Sequence, residues 1–183
     1  MERKRYNSHQ RTSIPMLAYN THLLYLCAHG SKHLFERLEW VCDIDRFIKA
    51  NPALVWQSLF EDAQTKGIER MLVLGLYLCH KLLATPLPEK ISTKIINDPA
   101  VAKLGSHIIK LHFSTHNKQD KFYETFWLLY QMRENLSDRL HFAYRALFAP
   151  QFDDFKYVEL PRSILFMYPI IRPFRLFMKY FQK

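Results

Sequence analysis

The chain has 183 residues, 26 Lys and Arg against 17 Asp and Glu for a formal charge of +9, 49% hydrophobic residues and four glycines. That length and apolar share suit one soluble core, and the scarcity of glycine and of β-branched runs argues against a sheet. The longest apolar stretch, Met71 to Cys79, is too short for a bilayer, which takes about 20 residues, and the Met1-Glu2-Arg3-Lys4-Arg5 start lacks a signal peptide's apolar core, so a cytoplasmic location is expected.

The predicted architecture is all-α, a single multi-helix domain of about seven to nine helices with an irregular segment near 149–161. Residues 1–13 are expected to be a basic arm and 14–183 the helical domain. Asn20 or Thr21 suits the cap of a first helix through about Ala28, and Gly30-Ser31 interrupts it before a second stretch reaching about Lys49. Asn51-Pro52 reads as a helix start, with Asn as cap and Pro in the first turn, and that helix ends near Gly67. From Ile68 to Leu83 the apolar positions keep the helical period and predict the central, most buried helix.

The Thr85-Pro86-Leu87-Pro88 break separates this from a short helix over Glu89 to Ile96. Asp98-Pro99 starts another helix to about Phe113, and 114–119 is a polar loop. Residues 120–133 and 136–148 read as helices with aromatic packing faces, and Pro150 ends the second. In Ser163 to Gln182, Pro169 and Pro173 are expected to break the helix that a membrane-surface anchor needs, which favours packing against the body. Cys27, Cys42 and Cys79 are odd in number, without metal-type spacing, and read as buried thiols in a reducing compartment.

Charge is concentrated at the ends. Residues 1–12 carry Arg3, Lys4, Arg5 and Arg11 against Glu2, whereas 162–183 carry Arg162, Arg172, Arg175, Lys179 and Lys183 against no acid. Basic ends suit an anionic partner or simply solubility. Nucleic-acid binding rests on this charge alone, since no helix shows a dense basic row and no recognised module is present.

The run from His29 to Asp43 mixes apolar residues with polar groups that a plain core helix does not need. Placed on one helix at about 100° per residue, His29, Lys32, His33, Glu36, Arg37, Trp40 and Asp43 share one arc, a face suited to line a site. Asp43-Ile44-Asp45 has the spacing of a metal-binding carboxylate pair on a strand. On a helix the two point about 200° apart, so the pair is rejected and Asp45 must find a cation or donor among apolar neighbours. His29 with His33, and His112 with His116, have i,i+4 spacing but no third ligand or accompanying Glu, so no metal site is expected.

Leu23-Leu24-Tyr25-Leu26-Cys27-Ala28-His29-Gly30-Ser31-Lys32-His33, followed by Glu36-Arg37-Leu38-Glu39-Trp40-Val41-Cys42-Asp43-Ile44, resembles the signature of the uncharacterised bacterial nucleotidyltransferase family related to the DNA polymerase β superfamily. The resemblance extends to Glu69-Arg70-Met71, to Leu83 through Pro88, to Leu160-Pro161-Arg162 and to Ile171 through Leu176, so it spans about Ile14 to the end. It implies the helical C-terminal part of such a protein, without the mixed α/β region whose strand-borne carboxylates hold Mg²⁺.

The implied role is non-catalytic. Lys32 and Arg37 would contact nucleotide or acceptor phosphate, and His29, His33 and Asp43 would orient them. No cofactor is expected for the isolated chain, which should be inactive. Mg²⁺ and a nucleoside triphosphate are implied only where a catalytic region is supplied, as by a partner protein carrying it. The alternative is a free-standing interaction module offering this scaffold to a partner or self-associating. A nucleic-acid or membrane-surface binder ranks lower.

Overall fold

The structure, a computed structural model, describes residues 18–113 and 122–181. The expected basic arm, the 114–119 loop and the pairing of His112 with His116 lie outside the described residues. In chain order come α1 (Tyr19–Lys32), α2 (Leu38–Ala50), α3 (Trp56–Thr65), α4 (Glu69–Leu83), α5 (Glu89–Ile96), α6 (Pro99–Phe113), α7 (Phe122–Gln131), α8 (Leu136–Phe148), α9 (Phe152–Tyr157), a 3₁₀ segment (Arg162–Met167) and α10 (Tyr168–Phe181). The fold is all-α, with no strand among the described residues.

Helix α4 is the axis, as its apolar period predicts. Every residue from Leu72 to Cys79 is buried, and α1, α2, α3, α5 and α6 pack around it. Close helix approach depends on Gly75, where a Cβ would lie 2.8 Å from the Cys27 Sγ of α1. Gly67 ends the α3 region with φ +64°, the left-handed cap that glycine adopts without steric cost.

The His29–Asp43 stretch is not one helix. The chain reverses at 33–37 through a Schellman turn, with the Phe35 amide donating to the Gly30 carbonyl at 2.8 Å and the Leu34 amide to the Ser31 carbonyl at 3.0 Å. Leu34 and Phe35 have φ of 52° and 50°, positions unfavourable for bulky residues by about 1–3 kcal/mol each. Both are buried, and their packing holds the reversal. Gly30 lies inside α1 rather than interrupting it, because the Phe35 ring folds onto the space where a Cβ would stand.

Asn51-Pro52 does not start a helix either. The Asn51 side chain donates to the Phe47 carbonyl at 2.8 Å, so it finishes α2, and α3 begins at Trp56. Asp98 behaves as expected, its carboxylate accepting from the amides of Ala100 and Val101 at 2.9 and 3.1 Å. Cys27 and Cys79 are buried, but Cys42 is only partly so.

The C-terminal helices join the α4 body through Arg70, whose amide donates to Glu134 Oε1 at 2.5 Å and whose Nη1 donates to the Gln131 carbonyl at 2.7 Å. Leu128 and Met132 enter the core beside this contact. Helix α8 has no buried residue, and its Leu140 and Tyr144 are exposed, so the aromatic packing face expected there is largely outward. The segment taken as irregular contains α9, started by a capping box between Gln151 and Asp154.

Pro169 and Pro173 do not break α10. Pro169 occupies the first turn, where an amide has no helical acceptor, and Pro173 leaves out a single interior bond. Tyr168, Arg172, Arg175 and Leu176 are buried and hold the helix down. No helix among the described residues is long and apolar enough to cross a membrane.

Candidate functional site

The buried face of α10 is organised around Asp154, which is fully buried. Its Oδ2 accepts from Arg172 Nη1 at 2.8 Å and from the Gln151 amide at 2.7 Å, while Oδ1 accepts from Arg175 Nε at 2.5 Å. Arg172 also donates Nε and Nη2 to the Ala146 carbonyl at 3.0 and 2.9 Å. Burial pushes the Asp154 carboxyl up, but the Gln151 amide and the two guanidiniums outweigh it and hold the group below its ordinary value. Two buried guanidiniums therefore share one carboxylate, which leaves a surplus positive charge at the wall of a cleft.

That cleft has a volume of about 820 Å³, within the range of small-molecule sites. Lys32 from α1, Lys66 after α3, Arg133 after α7, Arg145 from α8, and Arg172, Arg175 and Lys179 from α10 line it, against the carboxylates of Asp138 and Asp153. Lys66 is 3.9 Å from Asp62, and Arg133 lies 3.8 Å over the Phe142 ring while donating to the Leu129 carbonyl. Burial lowers the Arg133 pKa, with Asp138 opposing, and the guanidinium remains cationic. Lys32 and Arg145 have no ion-pair or side-chain hydrogen-bond partner among the described residues.

Ile68, Met71, Phe126, Leu129 and Phe142 supply an apolar wall. Cations gathered on a partly apolar concavity raise the local potential and suit a small polyanion, with guanidiniums offering fork-like donors to phosphate oxygens.

The sequence-predicted residues divide. Lys32 reaches the cleft. His29 and His33 instead lie with Trp40 across the reversal, ring centroids 5.0 Å apart from each other and each 5.3 Å from Trp40, with Tyr25 stacked on His29 at 5.8 Å. Arg37 is exposed and paired with Glu39 at 2.7 Å, and Asp43 is exposed on α2. The common arc is split because α1 ends before α2 begins.

Asp43 and Asp45 do not converge. Asp45 is buried, its Oδ1 accepting from Thr85 Oγ1 at 2.7 Å and its Oδ2 from Lys49 Nζ at 2.9 Å, the cation and donor its position demands. Burial pushes this carboxyl up, and the bonds from Lys49 and Thr85 more than compensate, holding it below the ordinary value. Among the described residues no three His, Cys, Asp or Glu side chains gather to hold a metal ion. These groups do not fit Mg²⁺, since one carboxylate is committed to Lys49 and Thr85 and the other points elsewhere.

Arg145, Arg172 and Arg175 escaped the sequence reading as site residues. The signal available was the acid-free run after 161, with Arg172 and Arg175 three apart on one helix face.

No curated protein and no solved structure matches the chain. A family match does exist, and it ends at Ala84, at the close of α4, so the later segments of the proposed resemblance lie outside it. Residues 1–84, which carry Lys32 and the His29–Asp43 stretch, match the model of the uncharacterised nucleotidyltransferases, and over that part the chain is similar to this family.

Proposed function

We propose that this chain is a non-catalytic helical part of a nucleotidyl-transfer system, and that its cationic cleft holds the phosphates of the nucleotide or of a phosphorylated acceptor. The observation that carries this reading is that Lys32, inside the family-matched stretch, opens onto the same cleft as Arg145, Arg172 and Arg175. Lys32 and Arg145 make the direct phosphate contacts, since both are uncommitted among the described residues. Asp154 positions Arg172 and Arg175 so that their charge faces the ligand without either guanidinium collapsing into the core.

Metal-held phosphoryl chemistry needs carboxylates that converge on Mg²⁺, and the described residues offer no such set. In this reading those groups belong to a partner or to a region outside the described residues. Chain incubated with Mg²⁺ and each nucleoside triphosphate is expected to transfer nothing, and robust transfer contradicts the account.

Photolabelling with an azido-ATP followed by peptide mapping tests the placement. Label is expected on α1 near Lys32, on α8 near Arg145 and on α10. Label confined to the His29–His33–Trp40 cluster, or none above background, contradicts it.

A further inference from the structure

We propose that α10 and the 3₁₀ segment before it form a surface that docks on an anionic lipid bilayer. This goes beyond the cleft, using the opposite side of the same helix. Phe166, Ile170, Phe174 and Met178, spaced four apart, are 71%, 53%, 69% and 43% exposed. Side chains at that spacing line one face of a helix, and Leu165 adds a further exposed apolar group beside them.

The helix has its polar side inward. Arg172 and Arg175 are buried against Asp154 and the Ala146 carbonyl, so its charged groups are satisfied within the fold and its large apolar groups face outward. An amphipathic helix lying in a membrane interface needs this arrangement, apolar side chains toward the acyl region and polar ones away. At about 1.5 Å per residue, the 14 residues of α10 extend about 21 Å, a length for lying in the interface rather than crossing it.

Charge selects the occupant. From Leu160 to Lys183 there is no Asp or Glu, while Arg162 and Lys179 are exposed near the two ends of the apolar line. A carboxylate-free apolar strip with cations at its ends complements anionic headgroups above apolar tails. The sequence argument against a surface anchor was that Pro169 and Pro173 interrupt the helix, and α10 runs unbroken through both.

Co-sedimentation of the full chain with vesicles tests the proposal at about 0.1 M salt, where surface charge is still felt over about 10 Å. Vesicles of phosphatidylcholine with added phosphatidylglycerol are expected to bind the chain at least about tenfold more strongly than phosphatidylcholine alone. The double variant Phe166→Ser/Phe174→Ser is expected to lose that binding by about tenfold or more, with unchanged circular dichroism. The exposed pair Tyr19→Ser/Val55→Ser is the control and should bind as the parent does.

Absence of binding to anionic vesicles, equal binding to neutral ones, or undiminished binding by the Phe166/Phe174 variant overturns the proposal. So does a parent dimer in light scattering that the same variant converts to monomer, because a second copy then covers this face. Binding lost with Lys32→Ala/Arg145→Ala and retained by the Phe166/Phe174 variant assigns the attraction to the cleft and also overturns it. If the double variant fails to fold, hydrogen exchange on the parent decides: vesicle-induced protection centred on 164–178 supports the proposal, and its absence there overturns it.

Discussion

Replacing Asp154 with asparagine removes the negative charge that Arg172 and Arg175 share while keeping the shape of the side chain. In the parent, Asp154 is fully buried and accepts from both guanidiniums and from the Gln151 amide. Arg172 keeps its two bonds to the Ala146 carbonyl in the variant, but Arg175 loses its charged acceptor and two buried cations are left facing each other. Breaking a buried pair by removing one partner costs about 3–5 kcal/mol, which for a chain of this size lowers the melting temperature by roughly 6–20 °C. Urea unfolding followed by circular dichroism at pH 7 measures the loss, and a difference below about 1 kcal/mol refutes the reasoning.

The pH dependence has a definite sign. The folded-state pKa of Asp154 is depressed, so the associated stability is fully present above the unfolded value of about 3.9 and is lost as pH falls through the folded value. The gap between parent and Asp154→Asn should therefore be full near neutrality and narrow in acid, below about pH 4. A gap that widens on acidification contradicts the depressed carboxyl.

Three further outcomes test the core. Gly75→Ala places a methyl 2.8 Å from Cys27 Sγ and should cost about 1–3 kcal/mol by overpacking. An unchanged denaturation midpoint contradicts the close approach of α1 and α4. Thr85→Val deletes the hydroxyl that donates to the buried Asp45 and should cost about 1–3 kcal/mol, with Thr85→Ser restoring most of it; equal losses in both variants contradict the bond. Burial, then the charge of Asp45, pushes the Cys79 thiol up to about 12, and burial pushes Cys27 well above its ordinary value. Iodoacetamide at pH 8 should then label the half-buried Cys42 first, as read by peptide mass spectrometry, and equal labelling of all three contradicts the packing.

The elements legible in the sequence were those whose signals are local. Asp98-Pro99 and the helical period of 68–83 mark real helices, and α5 spans Glu89–Ile96 as its punctuation suggests. The reversal at 33–37 was not legible because Leu34 and Phe35 adopt left-handed backbone without a glycine, a conformation that only their burial in the assembled core makes affordable. Asn51 misled because the same side chain is able to finish one helix or start the next, and tertiary geometry chose the first. Pro173 misled because the buried Arg172 and Arg175 anchor α10 through the missing bond.

For the candidate site, chemistry was legible and partnership was not. Lys32 stood out as a cation in a recognisable stretch, and it does open onto the cleft. The pairing of Asp154 with Arg172 and Arg175, 18 and 21 residues further on, depends on how α9 packs against α10. No residue spacing announces that. His29 and His33 shared a predicted arc with Lys32, yet the turn after α1 brings Trp40 to them and leaves Lys32 alone at the cleft.

The central claim is that this cleft holds phosphate, and calorimetric titration of the full chain with metal-free inorganic triphosphate measures it most directly. The account predicts saturable binding at one site, weakened at least about tenfold by Lys32→Ala/Arg145→Ala and falling steeply with added salt, as expected when cations take up a polyanion. Absence of binding, or binding that the double variant leaves unchanged while its fold is intact, contradicts it.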